Sequence, residues 1–218
     1  MMIYQGYIDE LSERIPDKDS LKLVKEEAKR FEKTHTLAEC FQAAGELYGS
    51  ENFQIQEIGV LLYGAAAREF PEALAFLKTV VSAHSSWKVQ EILGMAFDNH
   101  CRAVGYEQAL PLIQEWLNSD IANIRRAASE GLRIWTSRPF FRDRPELAVS
   151  MLAARREDES EYVRKSVGNA LSDISKKHGD LVEAELAGWD LSSKAAAQVY
   201  KHANRHLAKR ASGGKSEK

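Results

Sequence analysis

The stretch QIQEIGVLLY, residues 54–63, returns three times without a gap: as KVQEILGMAF at 88–97, NIRRAASEGL at 123–132 and YVRKSVGNAL at 162–171. The branched residues Ile55, Val89, Ile124 and Val163 mark one phase of this repeat, spaced roughly 34 to 39 residues apart. That period holds two helices and a turn, and each quoted segment opens the second helix of its pair. The partners lie between them: PEALAFLKTVV from Pro71, YEQALPLIQEWL from Tyr106 and RPELAVSMLAA from Arg144. Their apolar residues recur at three and four, as in Leu74, Leu77 and Val81, or Leu110, Ile113 and Leu117. Pro71 and Pro145 fall in first turns, where a missing N–H costs nothing, and Ser86, Asn123 and Ser160 fall where N-caps are expected.

These elements predict an all-α, HEAT-like helical-repeat solenoid. No single helix carries enough apolar surface to stand alone, so stability comes from stacking neighbours. An atypical N-terminal segment and a helix from Leu191 to Ala208 then act as caps. One domain over residues 1–208 is expected, with 209–218 as a disordered basic tail that loses apolar periodicity.

Composition agrees and narrows the function classes. The 218 residues are 44% hydrophobic and 28% charged, with 5 Pro and 13 Gly, too few for a β-protein that turns every ten residues. A net charge of -2 excludes a globally basic nucleic-acid binder, so any such contact must come from a local cluster. Cys40 and Cys101 are far apart and form no metal-ligand spacing, so neither a disulfide framework nor a metal site is expected, and a reducing cytoplasm fits. The opening MMIYQGYIDELSERIPDKD lacks the apolar run of a signal peptide, and no stretch reaches the roughly 18 apolar residues of a membrane span. His84, His100 and His178 near helix ends are expected to cap or meet solvent.

In a helical-repeat array the second helices line the concave wall, and equivalent positions stack. One position holds Glu57, Glu91, Arg126 and Lys165; a turn earlier stand Phe53, Trp87, Ala122 and Glu161; a turn later Leu61, Met95, Glu130 and Asn169. The wall therefore offers carboxylates beside aromatics at one end and Arg125, Arg126, Arg133, Arg164 and Lys165 at the other. Such a wall suits a cationic base on a phosphate backbone. An alkylated purine is already a good leaving group, so a carboxylate need only stabilise the oxocarbenium sugar and position water. An aromatic face attracts the cation, and the basic side chains hold the flanking phosphates. The same features also suit a packing tryptophan, an ordinary Glu91–Arg126 ion pair, or a scaffold that binds protein.

Residues 124–135, IRRAASEGLRIW, and 158–182, with SEYVRKSVGNALSDISK as the most specific stretch, resemble the HEAT-like-repeat alkylpurine DNA glycosylases of the AlkC/AlkD superfamily. The similarity extends over roughly Gln54 to Trp189 and is strongest to the AlkD branch. The resemblance implies a solenoid that cradles duplex DNA, alkylated or distorted, and cleaves the N-glycosidic bond of N3- or N7-alkylated purines without metal or organic cofactor; a helical array of this size with polar end caps is expected to be a monomer. By position it implies that Trp87 is the groove tryptophan, Glu91 stands for the catalytic aspartate, Arg126 contacts phosphate and Tyr162 supports the cleft. Arg125, Arg164 and Lys165 join the DNA-binding set, and Phe53, Glu57 and Asn169 line the groove. Two departures stand out: Glu91 is one methylene longer than aspartate, and Asn169 falls where the AlkD branch has a second groove aromatic. The alternative implied by these departures is a non-catalytic paralogue that binds DNA structures or a protein partner through the same groove.

Overall fold

The computed structural model describes residues 3–16 and 18–213, and among them no strand occurs. The helices are α1 (Gln5–Arg14), α2 (Leu21–Thr34), α3 (Leu37–Tyr48), α4 (Phe53–Ala66), α5 (Pro71–Thr79), α6 (Trp87–Val104) and α7 (Tyr106–Leu117). Then follow α8 (Ala122–Trp135), the single turn α9 (Pro139–Arg142), α10 (Pro145–Ala153), α11 (Glu161–Ile174), α12 (Gly179–Ala187), α13 (Lys194–Ala203) and α14 (Arg205–Gly213). The repeats open α4, α6, α8 and α11, each one residue after the helix begins, and Ile55, Val89, Ile124 and Val163 are all buried. The chain forms two compact units, Met1–Gln108 and Ala109–Lys218.

In the first unit α4 is the centre, flanked by α2, α3, α5 and α6. It is buried nearly all round because two glycines admit its neighbours: a Cβ at Gly59 would lie 2.8 Å from the Ala44 carbonyl oxygen, and one at Gly64 would lie 2.4 Å from that of Ala96. In the second unit α11 takes that place between α8 and α13, with α10 and α12 behind it. There a Cβ at Gly168 would come 2.4 Å from the Cβ of His202 and 3.0 Å from the Val199 carbonyl oxygen. The glycines let second helices lie backbone to backbone, which is what stacking requires.

Several local expectations change. Ile121, not Asn123, is the N-cap of α8, and Asn123 sits inside its first turn. Ser86 and Ser160 occupy N-cap positions, but their side chains accept no capping bond. Another device closes these loops. Gln56, Gln90, Arg125 and Arg164, equivalent in the repeat, each donate to the backbone carbonyl six residues back: to Ser50 (2.7 Å), to His84, to Ser119 (2.8 Å) and to Asp158 (2.7 Å). The side chain thus satisfies a loop acceptor that the turn leaves open. The single C-terminal helix expected from Leu191 is two, broken at Asn204, and α14 runs to Gly213; residues 214–218 of the expected tail lie outside the described residues. His100 does not meet solvent: it is buried within α6, and burial pushes its imidazole below the usual value.

Candidate nucleic-acid and base-binding site

The first unit holds the carboxylates and their aromatics. Trp87 is the first residue of α6 and is 62% exposed, so it is not a packing residue between repeats. Glu91, one turn on and on the same side of the helix, is also exposed. Its repeat equivalent Glu57 differs sharply: it is 3% exposed, and its Oε2 is enclosed with no hydrogen-bond partner. The cover comes from the chain entering α2. Gln54, itself buried, accepts from the Ser20 N–H (2.8 Å) and donates to the Pro16 carbonyl (2.9 Å), and Lys88 bridges to Asp19 at 3.0 Å. Burial first and Asp19 next raise the Glu57 carboxyl; Lys88 partly opposes them and Glu91 adds to the rise, to about 7. Phe53 is half-buried, with the Lys88 ammonium 4.2 Å from its ring centre, so its face already holds a cation.

The second unit holds the cations, and the structure divides them. Arg125, expected at a phosphate, is a buried clamp between loops. It is 5% exposed, and all five of its N–H donors are spent: Nε and Nη2 on Asp158 (2.7 and 2.8 Å), Nη2 also on Glu159 (3.3 Å), and Nη1 on the carbonyls of Ser119 (2.8 Å) and Asp120 (3.1 Å). Burial works against charge on Asp158, but the Arg125 hydrogen bonds and the Ser160 N–H outweigh it and hold the carboxyl below its usual range. Arg164 turns the same way, giving Nη1 to the carbonyls of Asp158 and Glu159 and Nε to Gln198 (2.8 Å). The Arg125 guanidinium, so committed, has little to offer a phosphate, whereas Arg164 keeps Nη2 outside these bonds. Arg133 pairs with Glu130 and Asp173.

Tyr162 is 72% exposed near the start of α11, Lys165 is exposed with its ammonium 2.7 Å from Glu161 and 5.8 Å from the Tyr162 ring centre, and Arg126 is half-exposed on α8. Asn169 accepts a bond from Arg205 at the start of α14. That arginine, with Lys201 and His202 beside it, went unnoticed in the sequence because the last helix counted only as a cap. Among the described residues no cluster of three or more His, Cys, Asp or Glu could hold a metal ion, and no helix is long and apolar enough to cross a membrane.

The family description that matches residues 20–207 is DNA alkylation repair enzyme. The chain belongs to that family. Among solved structures, this DNA alkylation repair family member is 42% identical to AlkD2 from Streptococcus mutans, over 92% of this chain and 97% of that one, with a TM-score of 0.87. It is 26% identical to the alkylpurine DNA glycosylase AlkC of Pseudomonas fluorescens, which was solved bound to DNA containing an abasic site analog; the match covers 93% of this chain and 51% of that one, with a TM-score of 0.61. A further relative is the uncharacterized protein YhaZ of Bacillus subtilis (strain 168), 35% identical over 108 residues, which are 48% of this chain and 30% of that protein. The family member therefore has an all-α helical-repeat fold shared with AlkD2 and AlkC.

Proposed function

We propose that this family member engages duplex DNA as a monomer in the cytoplasm and hydrolyses the N-glycosidic bond of purines alkylated at N3 or N7, without metal or organic cofactor. The observation that carries the reading is Trp87: an indole 62% exposed at the head of α6, with an exposed carboxylate, Glu91, one turn along. An exposed tryptophan beside a carboxylate suits a flat cation. In the proposed reaction the C1′–N bond breaks with its electron pair going to the cationic base, which leaves neutral. Glu91 faces the oxocarbenium sugar, aligns a water on C1′ and takes its proton. Arg126, Lys165, Tyr162 and the Nη2 of Arg164 contact the DNA backbone, while Arg125 is withdrawn from that set.

The test is base release from a duplex containing 7-methylguanine, read as abasic sites. Wild type is expected to release the base, and Glu91→Gln, which removes only the charge, to lose at least a hundredfold in rate, on the order of one lost electrostatic contact in a transition state. No release by wild type at large enzyme excess would discard the enzyme reading. The second reading, binding without catalysis, is favoured by the exposure of Glu91, where water screens its charge, and by the inward turn of Arg125. Salt-sensitive duplex affinity without base release is its signature.

A further inference from the structure

We infer that Lys165, Lys201, His202 and Arg205 form a phosphate-binding site where α11, α13 and α14 meet, and that its occupant is a backbone phosphodiester of nucleic acid. The register places it. Ser160 and Ser193 are the N-caps of α11 and α13, so Ala196 stands where Val163 does, Gln198 where Lys165 does, and His202 where Asn169 does. His202 thus continues the row that the repeats set up in Glu130 and Asn169, and α13 is another second helix rather than a mere cap.

The close approach at Gly168 brings the cations together. Because α13 presses its His202 Cβ onto that glycine, the imidazole lies over α11, half-buried. Lys165 from α11, Lys201 on its own helix and Arg205 from α14 all act on it, and after burial these three push its imidazole below the usual value. The charges that act on the ring are those of Arg205, Lys165 and Lys201, and Glu161 pairs with Lys165. The Nδ1 atom is enclosed without a partner, so a ligand would meet the ring through Nε2.

Arg205 is fixed at two points, Nε on the His202 carbonyl (3.1 Å) and Nη2 on the Asn169 side chain. Nη1 remains outside both anchors, so the fork is oriented before any ligand arrives. Three cations around the imidazole, one of them paired with Glu161, make a positively charged surface that suits an oxyanion. A bound phosphate would also reverse the field on His202, so binding should take up a proton.

This inference rests on the DNA-binding half of the function proposed above and not on base release, and the two are measured separately. The probe is an unmodified 16-base-pair duplex with no terminal phosphates, titrated by fluorescence anisotropy at low salt. Lys201→Ala and Arg205→Ala, both at exposed positions, are expected to weaken binding about 3- to 10-fold each, and each to lower the slope of log affinity against log salt by about one. In the same samples the His202 ring, followed by NMR, should titrate higher with duplex bound than free, so wild-type affinity should climb as the pH falls, and His202→Gln should flatten that climb. Adding a 5′-phosphate to the duplex, or competing with inorganic phosphate, distinguishes a terminal monoester from the backbone: the backbone assignment expects no gain from the 5′-phosphate. Unchanged affinity in both alanine variants with normal wild-type binding would overturn the site and spare the DNA reading. Wild type that binds no duplex at any salt would overturn both, whereas failure of 7-methylguanine release alone would touch neither the variants nor the His202 titration.

Discussion

The helices α4 and α6 of the first unit and α8 and α11 of the second use one architectural position in the same way and the next one in opposite ways. At the first, Gln56, Gln90, Arg125 and Arg164 all reach back six residues to a loop carbonyl. At the following residue, the first unit has Glu57 and Glu91 and the second has Arg126 and Lys165. A polar residue with an N–H at the staple position serves the fold whether or not it carries charge. Its neighbour is left to chemistry, so function varies while the loops stay closed. An arginine in the repeat is therefore not evidence of a phosphate contact until its acceptors are known.

The staple in the second unit does more than its counterpart, and removing it should show the largest effect. Arg125→Ala leaves the Asp158 carboxylate buried without its guanidinium, and the Ser119 and Asp120 carbonyls without a donor. Breaking one side of a buried ion pair costs about 3–5 kcal/mol, which urea denaturation followed by circular dichroism would register. Asp158 has a folded pKa below its usual 3.8, so its stabilisation is complete above that value and is lost as pH falls through the folded one. The variant should lack this acid-side loss. A cost under about 1 kcal/mol, near that expected for Arg164→Ala, would make the two arginines equivalent and remove the distinction drawn here.

The two glutamates offer a middle-sized test of the same contrast within one unit. Glu57 is buried beneath the segment held by Gln54 and Lys88, while Glu91 is open. The Glu57 carboxyl is raised from the usual 4.5 to about 7, so the stability it contributes is fully present below 4.5 and is lost as pH rises to about 7. Glu57→Gln should remove that decline and leave the protein about 1–3 kcal/mol more stable than wild type at pH 8, the scale of one buried unsatisfied polar group. Glu91→Gln should change stability by less than about 0.5 kcal/mol. A wild-type urea midpoint that stays flat between pH 4.5 and 7 would mean Glu57 finds a partner in solution.

The helical repeat was legible because burial at Ile55, Val89, Ile124 and Val163 imposes a period that survives every change around it. Trp87 could be singled out by phase and Tyr162 by the resemblance, and both are exposed. Direction was not legible for Arg125 and Arg164, because their acceptors are mostly backbone carbonyls, which leave no trace in residue types. Nor was the burial of Glu57, which depends on a distant loop that Gln54 ties down. His202 escaped because α13 has only Ala196 where other repeats have a branched residue, so the period seemed to stop one helix early.

The smallest effect tests whether the staple is truly modular. Gln56 and Gln90 each make a neutral side-chain bond to a loop carbonyl, and neither shares an acceptor with the other. Gln56→Ala and Gln90→Ala should each cost about 0.5–1.5 kcal/mol, the net worth of one such bond with its acceptor partly able to reach water. Because the two loops are separate, the double variant should cost the sum within about 0.5 kcal/mol. Gln56→Arg sharpens the comparison further. If an arginine in the second unit is a staple first and a cation second, then arginine at position 56 should hold the Ser50 carbonyl and recover most of what alanine loses, while Gln56→Leu should not. Equal destabilisation by arginine and leucine would show that each unit needs its own donor, and that the shared position reflects separate solutions rather than one device.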